Sequence, residues 1–253
     1  MSIRAVFVDV DGTTADTEPR NRRAIEEAAR IGGFHIKKED WNHLAGQGDS
    51  IIWEMIANEK PDFKDVFNTG VAFERACLNA KLDRIHEVKK IDETAEAIQL
   101  FRENAVDIAA VSNSIRRDAQ ASLRHSGYTD KDFVFELFRD DLREAGLRAK
   151  PYPDPYIEAL RRLNEKLAGE AAAKGVAFTP ITPAECVVLE DSKTGARAGL
   201  SAGMNTIQMT DESPGLDAEE AAEMETQYNS NYMPVSRAGL VPQVRSLLNL
   251  APG

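Results

Sequence analysis

The stretch Val6-Phe7-Val8-Asp9-Val10-Asp11-Gly12-Thr13 constrains this chain more than any other. A short apolar run ends in two carboxylates two residues apart, with a glycine directly behind them. That is the pattern of a buried strand whose C-terminal end opens into a turn. Two-residue spacing on extended backbone points both side chains to one side, so Asp9 and Asp11 bring two negative charges together at the strand tip. Converging carboxylates repel and are costly to bury unpaired. A divalent cation, a lysine or a bound proton must relieve them. Taken alone, the stretch is equally an ordinary strand-end turn built from Asp and Gly.

The segment that follows has a different character. Pro19 suits a first helical position, Ala24/Ala28 and Ile25/Ala29 repeat at i, i+4, and Gly32-Gly33 ends the pattern. A second helix is predicted from Asp49 or Ser50, with Ile51/Met55 and Ile52/Ile56 on its faces, and a third over Phe63 to Ile85. No strand is expected between residues 15 and 92, which read as a helical insertion. Beyond it, strands and helices alternate. Helix 93–103 precedes the run Val106 to Val111, helix 116–126 stops at Gly127, and Phe133-Val134-Phe135 is the next strand candidate. Asp154-Pro155 opens a helix with Ile157, Leu160, Leu163 and Leu167 as its core stripe. Cys186 to Leu189 is a strand, 193–202 a helix, and Asn205 to Met209 the last strand expected. Near-continuous apolar strands alternating with helices predict an α/β fold, a parallel sheet covered on both faces whose ligands sit beyond the strand C-terminal ends. Segment 169–185 extends the preceding helix into a loop, and acidic segment 210–236 reads as a solvated connection. Gly195, Gly199 and Gly203 are expected to allow close helix–sheet packing.

With 253 residues the chain can bury a sizeable core. Its net charge of -11 argues against a nucleic-acid or anionic-membrane surface, so positive charge for an anionic substrate must be local. Cys77 and Cys186 lack metal spacing and read as buried thiols of a reducing compartment. The early apolar run is interrupted by Asp9 and Asp11, and no apolar segment of membrane-spanning length occurs; a cytoplasmic enzyme is expected.

The later strand tips carry chemistry of the same kind. Val111 leads into Ser112-Asn113-Ser114 at a helix start, a seat suited to phosphate. Lys150-Pro151 precedes the Asp154-Pro155 helix, which holds a point charge close by. Leu189 leads into Glu190-Asp191-Ser192, a second acidic pair. Each has a plain structural alternative as a helix cap or surface charge; their joint occurrence at successive strand ends does not.

The set Asp9-x-Asp11-Gly12-Thr13, Ser112-Asn113, Lys150-Pro151-x-Pro153-Asp154 and Glu190-Asp191-Ser192 resembles the four motifs of the haloacid dehalogenase-like hydrolase superfamily. It is similar in particular to the subgroup with a helical cap after the first motif, which includes beta-phosphoglucomutase and sugar-phosphate phosphatases. The resemblance implies a Rossmann-like core over 1–14 and 93–253 with a cap domain over 15–92. It implies Asp9 as a nucleophile that forms an aspartyl-phosphate, Asp11 as acid and base, and Lys150 as a charge that favours ionised Asp9. Mg²⁺ would be held by Asp9, Asp191 and the Asp11 carbonyl, with Glu190 assisting. Gly12, Ser112, Asn113 and Lys150 would hold the phosphoryl group. The expected partner is a small phosphorylated metabolite, such as a sugar phosphate or sugar bisphosphate, turned over by a monomer or weak homodimer. In the cap, Gly46 and Gln47 occupy the loop that faces the substrate in such proteins, and Arg75 or Lys81 could contact it; the arginine of the mutase pattern is missing from this loop. A beta-phosphoglucomutase-like transferase, a phosphonoacetaldehyde hydrolase using Lys37 or Lys38, and a non-enzymatic phosphoacceptor module are the alternatives.

Overall fold

The computed structural model describes residues 2–37, 40–44, 48–212 and 218–251. Strand β1 (Ala5–Val8) is followed by a two-residue strand β2 (Ala15–Asp16) and then by helices α1 (Glu18–Ile31), α2 (Trp41–Leu44), α3 (Asp49–Glu59), α4 (Phe63–Val66) and α5 (Gly70–Asp83). Strand β3 (Lys89–Lys90) pairs antiparallel with β2, so segment 15–92 begins and ends on a small ribbon that the sequence reading did not anticipate. The alternation then runs α6 (Asp92–Glu103), β4 (Asp107–Val111), α7 (Arg116–His125), β5 (Glu136–Leu137), α8 (Arg139–Glu144), α9 (Asp154–Lys174), β6 (Cys186–Glu190), α10 (Lys193–Ser201), β7 (Asn205–Met209), α11 (Ala218–Tyr228), β8 (Tyr232–Val235) and α12 (Leu240–Leu247).

Six strands form one parallel sheet in the order β5-β4-β1-β6-β7-β8. The chain builds outward from β1 in one direction through β4 and β5, then returns to build in the other from β6. The direction reverses between β1 and β6, and a crevice at such a reversal is where open parallel sheets bind ligands. The side-chain period of two divides the apolar residues between the sheet's faces. Val6, Val8, Ile108, Val187 and Leu189 pack with Ile98 and Phe101 of α6, Leu123 of α7 and Val244 of α12. Ala5, Phe7, Ala109, Val111 and Val188 pack with Tyr156, Leu160 and Leu163 of α9. The helices α1 to α5 surround a separate cluster that includes Ile25, Ile52, Ile56, Phe63, Phe73 and Cys77.

Four expectations need correction. The helix expected over Phe63 to Ile85 is split, because Thr69 starts a new helix by accepting the Ala72 amide on its side chain; Val66 and Val71 beside the break are exposed. The strand expected at Phe133 to Phe135 lies at Glu136–Leu137, and Phe133 instead fills the core beside Tyr128. Ile157, counted as core, is exposed on α9, whereas Tyr156 is fully buried. Segment 210–236 is not a solvated connection: β8 extends the sheet beside β7, and Met224 and Tyr232 pack against Ala196 and Leu200. Its short apolar run, broken by Pro234, gave too weak a strand signal.

Candidate active site

The central strands β1 and β6 deliver Asp9, Glu190 and Asp191 to one point. One carboxylate oxygen from each lies within 4.8 Å of the others, and all three residues are buried. Parity sets this arrangement. Asp9 continues the Ala5, Phe7 series and Glu190 the Cys186, Val188 series, so both leave the sheet on the face that holds Tyr156. Lys150, from the loop before α9, places its ammonium between them. Its Nζ donates to Asp9 Oδ1 at 2.5 Å, Glu190 Oε1 at 2.6 Å and the Val111 carbonyl at 2.8 Å. The Tyr156 hydroxyl donates to the same Glu190 oxygen at 2.7 Å, and Ser192 Oγ donates to Glu190 Oε2 at 3.0 Å. Glu190 is thus clamped from several sides, while Thr13 Oγ1 donates to Asp191 Oδ1 at 3.1 Å.

Close approach dictates two glycines here. Gly12 has φ +81°, and a Cβ on it would collide with the Asp191 carboxylate. A Cβ on Gly195 would collide with the Glu190 carboxylate.

Three carboxylates share one ammonium, and the imbalance shows in their acidities. Burial, then Glu190, raises the Asp9 carboxyl well above the usual carboxylate range, and the same two causes push Asp191 up to about 8. Burial alone would lower Lys150, but Asp9 and Glu190 outweigh it and hold the ammonium charged. Without a cation the cluster therefore holds on to protons, and a cation would displace them from hard oxygen donors. That chemistry suits a divalent cation such as Mg²⁺ and not a soft-ligand metal.

Asp11 stands apart from this trio. Its carboxylate accepts from Thr17 Oγ1 at 2.8 Å, Ser114 Oγ at 2.7 Å and Ser112 Oγ at 3.3 Å, and with Asp9, Lys150 and Ser112 it lines a cavity of about 490 Å³. Asn113 was expected to meet a phosphoryl group. Its amide is instead engaged at both ends by the Lys150 backbone, with Oδ1 accepting from Lys150 N at 3.0 Å and Nδ2 donating to Lys150 O at 3.1 Å.

The opposite wall of the cavity comes from segment 15–92. Trp41, Asp49, Glu74, Leu78 and Lys81 line it, together with Arg139 from α8. Arg75 does not: it is exposed and faces away on α5. Gly46 and Gln47 lie outside the described residues. The sequence reading missed Tyr156, which looked like one more core aromatic on a helix stripe, and Thr13, whose partner is far away in the chain. It also missed Arg139, the first residue of a helix, and the pairing of Asp49 with Lys81.

The family model for haloacid dehalogenase-like hydrolases matches residues 3–203. The chain belongs to this family. Among relatives of this haloacid dehalogenase-like hydrolase, the Phosphorylated carbohydrates phosphatase of Thermotoga maritima is 26% identical over 209 residues, covering 81% of this chain and 84% of that protein. Protein CbbY of Rhodobacter capsulatus is 23% identical over 227 residues, covering 82% and 85%. A solved structure of a HAD family hydrolase from Deinococcus radiodurans R1, with bound phosphate and sodium, superposes with a TM-score of 0.64 at 26% identity and covers 99% of each chain. The chain is therefore a hydrolase, and phosphatases are among its named relatives. Among the described residues no helix is long and apolar enough to cross a membrane.

Proposed function

We propose that the chain is a Mg²⁺-dependent phosphatase that hydrolyses a small phosphorylated carbohydrate through an aspartyl-phosphate on Asp9, with residues 15–92 acting as the cap over a core formed by 1–14 and 93–253. The observation that carries this reading is the buried trio of Asp9, Glu190 and Asp191 with Lys150 as its inserted cation, facing Asp11 across one cavity. The resemblance to a phosphatase of phosphorylated carbohydrates supports the substrate class.

In this mechanism a carboxylate oxygen of Asp9 attacks phosphorus in line with the leaving oxygen. The P–O bond to the sugar breaks, and Asp11, held by its three hydroxyl donors, gives its proton to the departing alkoxide. Asp11 then takes a proton from the water that attacks the acyl-phosphate, which releases inorganic phosphate and regenerates Asp9. Lys150 pulls Asp9 towards the ionised form against burial and Glu190, and offsets charge on the phosphoryl oxygens. Ser112 and the turn at Gly12 complete the phosphoryl seat, while Asn113 fixes Lys150. Asp9, Asp191 and the Asp11 carbonyl would hold Mg²⁺, with Glu190 behind them, and the ion would supply Lewis-acid charge neutralisation.

Turnover of p-nitrophenyl phosphate by wild type, Asp9→Asn and the chelator-treated enzyme tests this. Both treatments should abolish activity. Near-wild-type turnover by Asp9→Asn would rule out the nucleophile, and activity that survives chelation would rule out the metal.

A further inference from the structure

Every cation on the cap-side wall of the cavity, among the described residues, faces a carboxylate. Lys81 Nζ lies 2.9 Å from Asp49 Oδ2 and 3.2 Å from Oδ1, with both side chains almost wholly buried. It also faces Asp118 Oδ2 at 3.9 Å, and Asp118 in turn pairs with the fully buried Arg20 at 3.0 Å. Arg139 pairs with Glu74, which joins α8 to α5 across the wall. Arg22 pairs with Glu26 at 3.1 Å and stacks on the Trp41 ring. Glu18 adds a further carboxylate beside the cavity, raised by burial and by Asp11. The wall is thus charge-balanced or acidic.

We propose that this wall makes the enzyme selective for monophosphate esters with an uncharged, hydroxyl-bearing remainder, and that Asp49 and Glu74 exclude bisphosphates by neutralising Lys81 and Arg139. This rests on the phosphatase reading and narrows it. A second phosphate needs a cation with spare capacity; here it would have to displace a carboxylate that stays in the same cavity and repels it. Hydroxyls meet no such obstacle. They donate to the free lone pairs of Asp49 or Glu74 and accept from Lys81 without separating either pair. Asp49 begins α3 and lines the cavity, so an acid stands on the wall where a second phosphate would call for a base.

The test measures kcat/KM for p-nitrophenyl phosphate, for fructose 1-phosphate, fructose 6-phosphate and glucose 6-phosphate, and for fructose 1,6-bisphosphate. The wild-type enzyme should prefer at least one monophosphate over the bisphosphate by about tenfold or more. Asp49→Asn and Glu74→Gln, made separately, each free one cation and should raise the bisphosphate-to-monophosphate ratio about fivefold or more. A loss of folding or of chemistry would lower both numbers without moving their ratio, and either variant alone suffices. Turnover of p-nitrophenyl phosphate with equal or greater activity on the bisphosphate overturns this inference and leaves the phosphatase standing, as does an unchanged ratio in both variants. No turnover of any ester overturns both.

Discussion

Asn113 and Lys150, 37 residues apart, grip each other through two reciprocal hydrogen bonds between the Asn113 amide and the Lys150 backbone. The pair sits where the end of β4 meets the loop before α9, so the grip fixes where the Lys150 ammonium emerges between Asp9 and Glu190. Asn113→Ala should therefore lower kcat by about tenfold or more through a displaced lysine, and unfolding should become easier by about 1–3 kcal/mol for the unmade buried bonds. Steady-state kinetics with a denaturant melt checks both; an unchanged kcat would remove Asn113 from the support of the site.

Tyr156 supplies a different support. Its hydroxyl reaches Glu190 Oε1 at 2.7 Å, and its ring lies 5.1 Å from the Lys150 ammonium. Tyr156→Phe keeps the ring and deletes the donor, so Glu190 should orient less well and Mg²⁺ should bind about tenfold more weakly. A calorimetric Mg²⁺ titration reads this directly.

The weakened acidity of Asp191 gives the metal-free protein a pH signature. Its carboxyl is pushed from 3.8 up to about 8 by burial and by Glu190. Between those values the folded state holds a proton that the unfolded state has lost, so this group's contribution to stability falls as pH rises through that window. In chelator the wild type should lose thermal stability between pH 5 and pH 8 relative to Asp191→Asn. Mg²⁺ binding displaces the same protons, so its apparent affinity should rise over the same range. Parallel melting profiles for the two proteins would contradict the assignment.

Gly12 is constrained twice, by a φ of +81° and by the Asp191 carboxylate where a Cβ would stand. Gly12→Ala should cost about 1–3 kcal/mol of backbone strain and move Asp191, with Mg²⁺-dependent turnover lost. Retention of full activity would mean that the turn can shift without disturbing the site.

Much of this was legible in the sequence because it is local. A run such as Val6 to Val8 followed by Asp9 states both its burial and what lies at its tip, and strand alternation places successive tips on one edge. Asp9, Glu190, Asp191 and Lys150 could therefore be gathered without coordinates. What stayed hidden depends on side chains meeting across the chain. Tyr156 follows Pro155 in a helix whose apolar stripe gives no sign that one member is a hydrogen-bond donor to Glu190. Asn113 sits in a motif that suggests phosphate, and only the fold shows its amide already engaged. Asp49 and Lys81 are neighbours only because α3 packs against α5. Arg75 had the right charge on the wrong face of that same helix. Strand β8 was missed because its four residues are stabilised by pairing with β7 and not by their own pattern.

The central claim is that Asp9 becomes phosphorylated. Rapid acid quenching during turnover of a phosphomonoester with Mg²⁺, followed by mass spectrometry of the N-terminal peptide, reads this most directly. A phosphoryl group on Asp9, absent from Asp9→Asn and from enzyme quenched without substrate, is the expected result. Turnover with no trapped phosphoryl group, or with the group on any other residue, would contradict it.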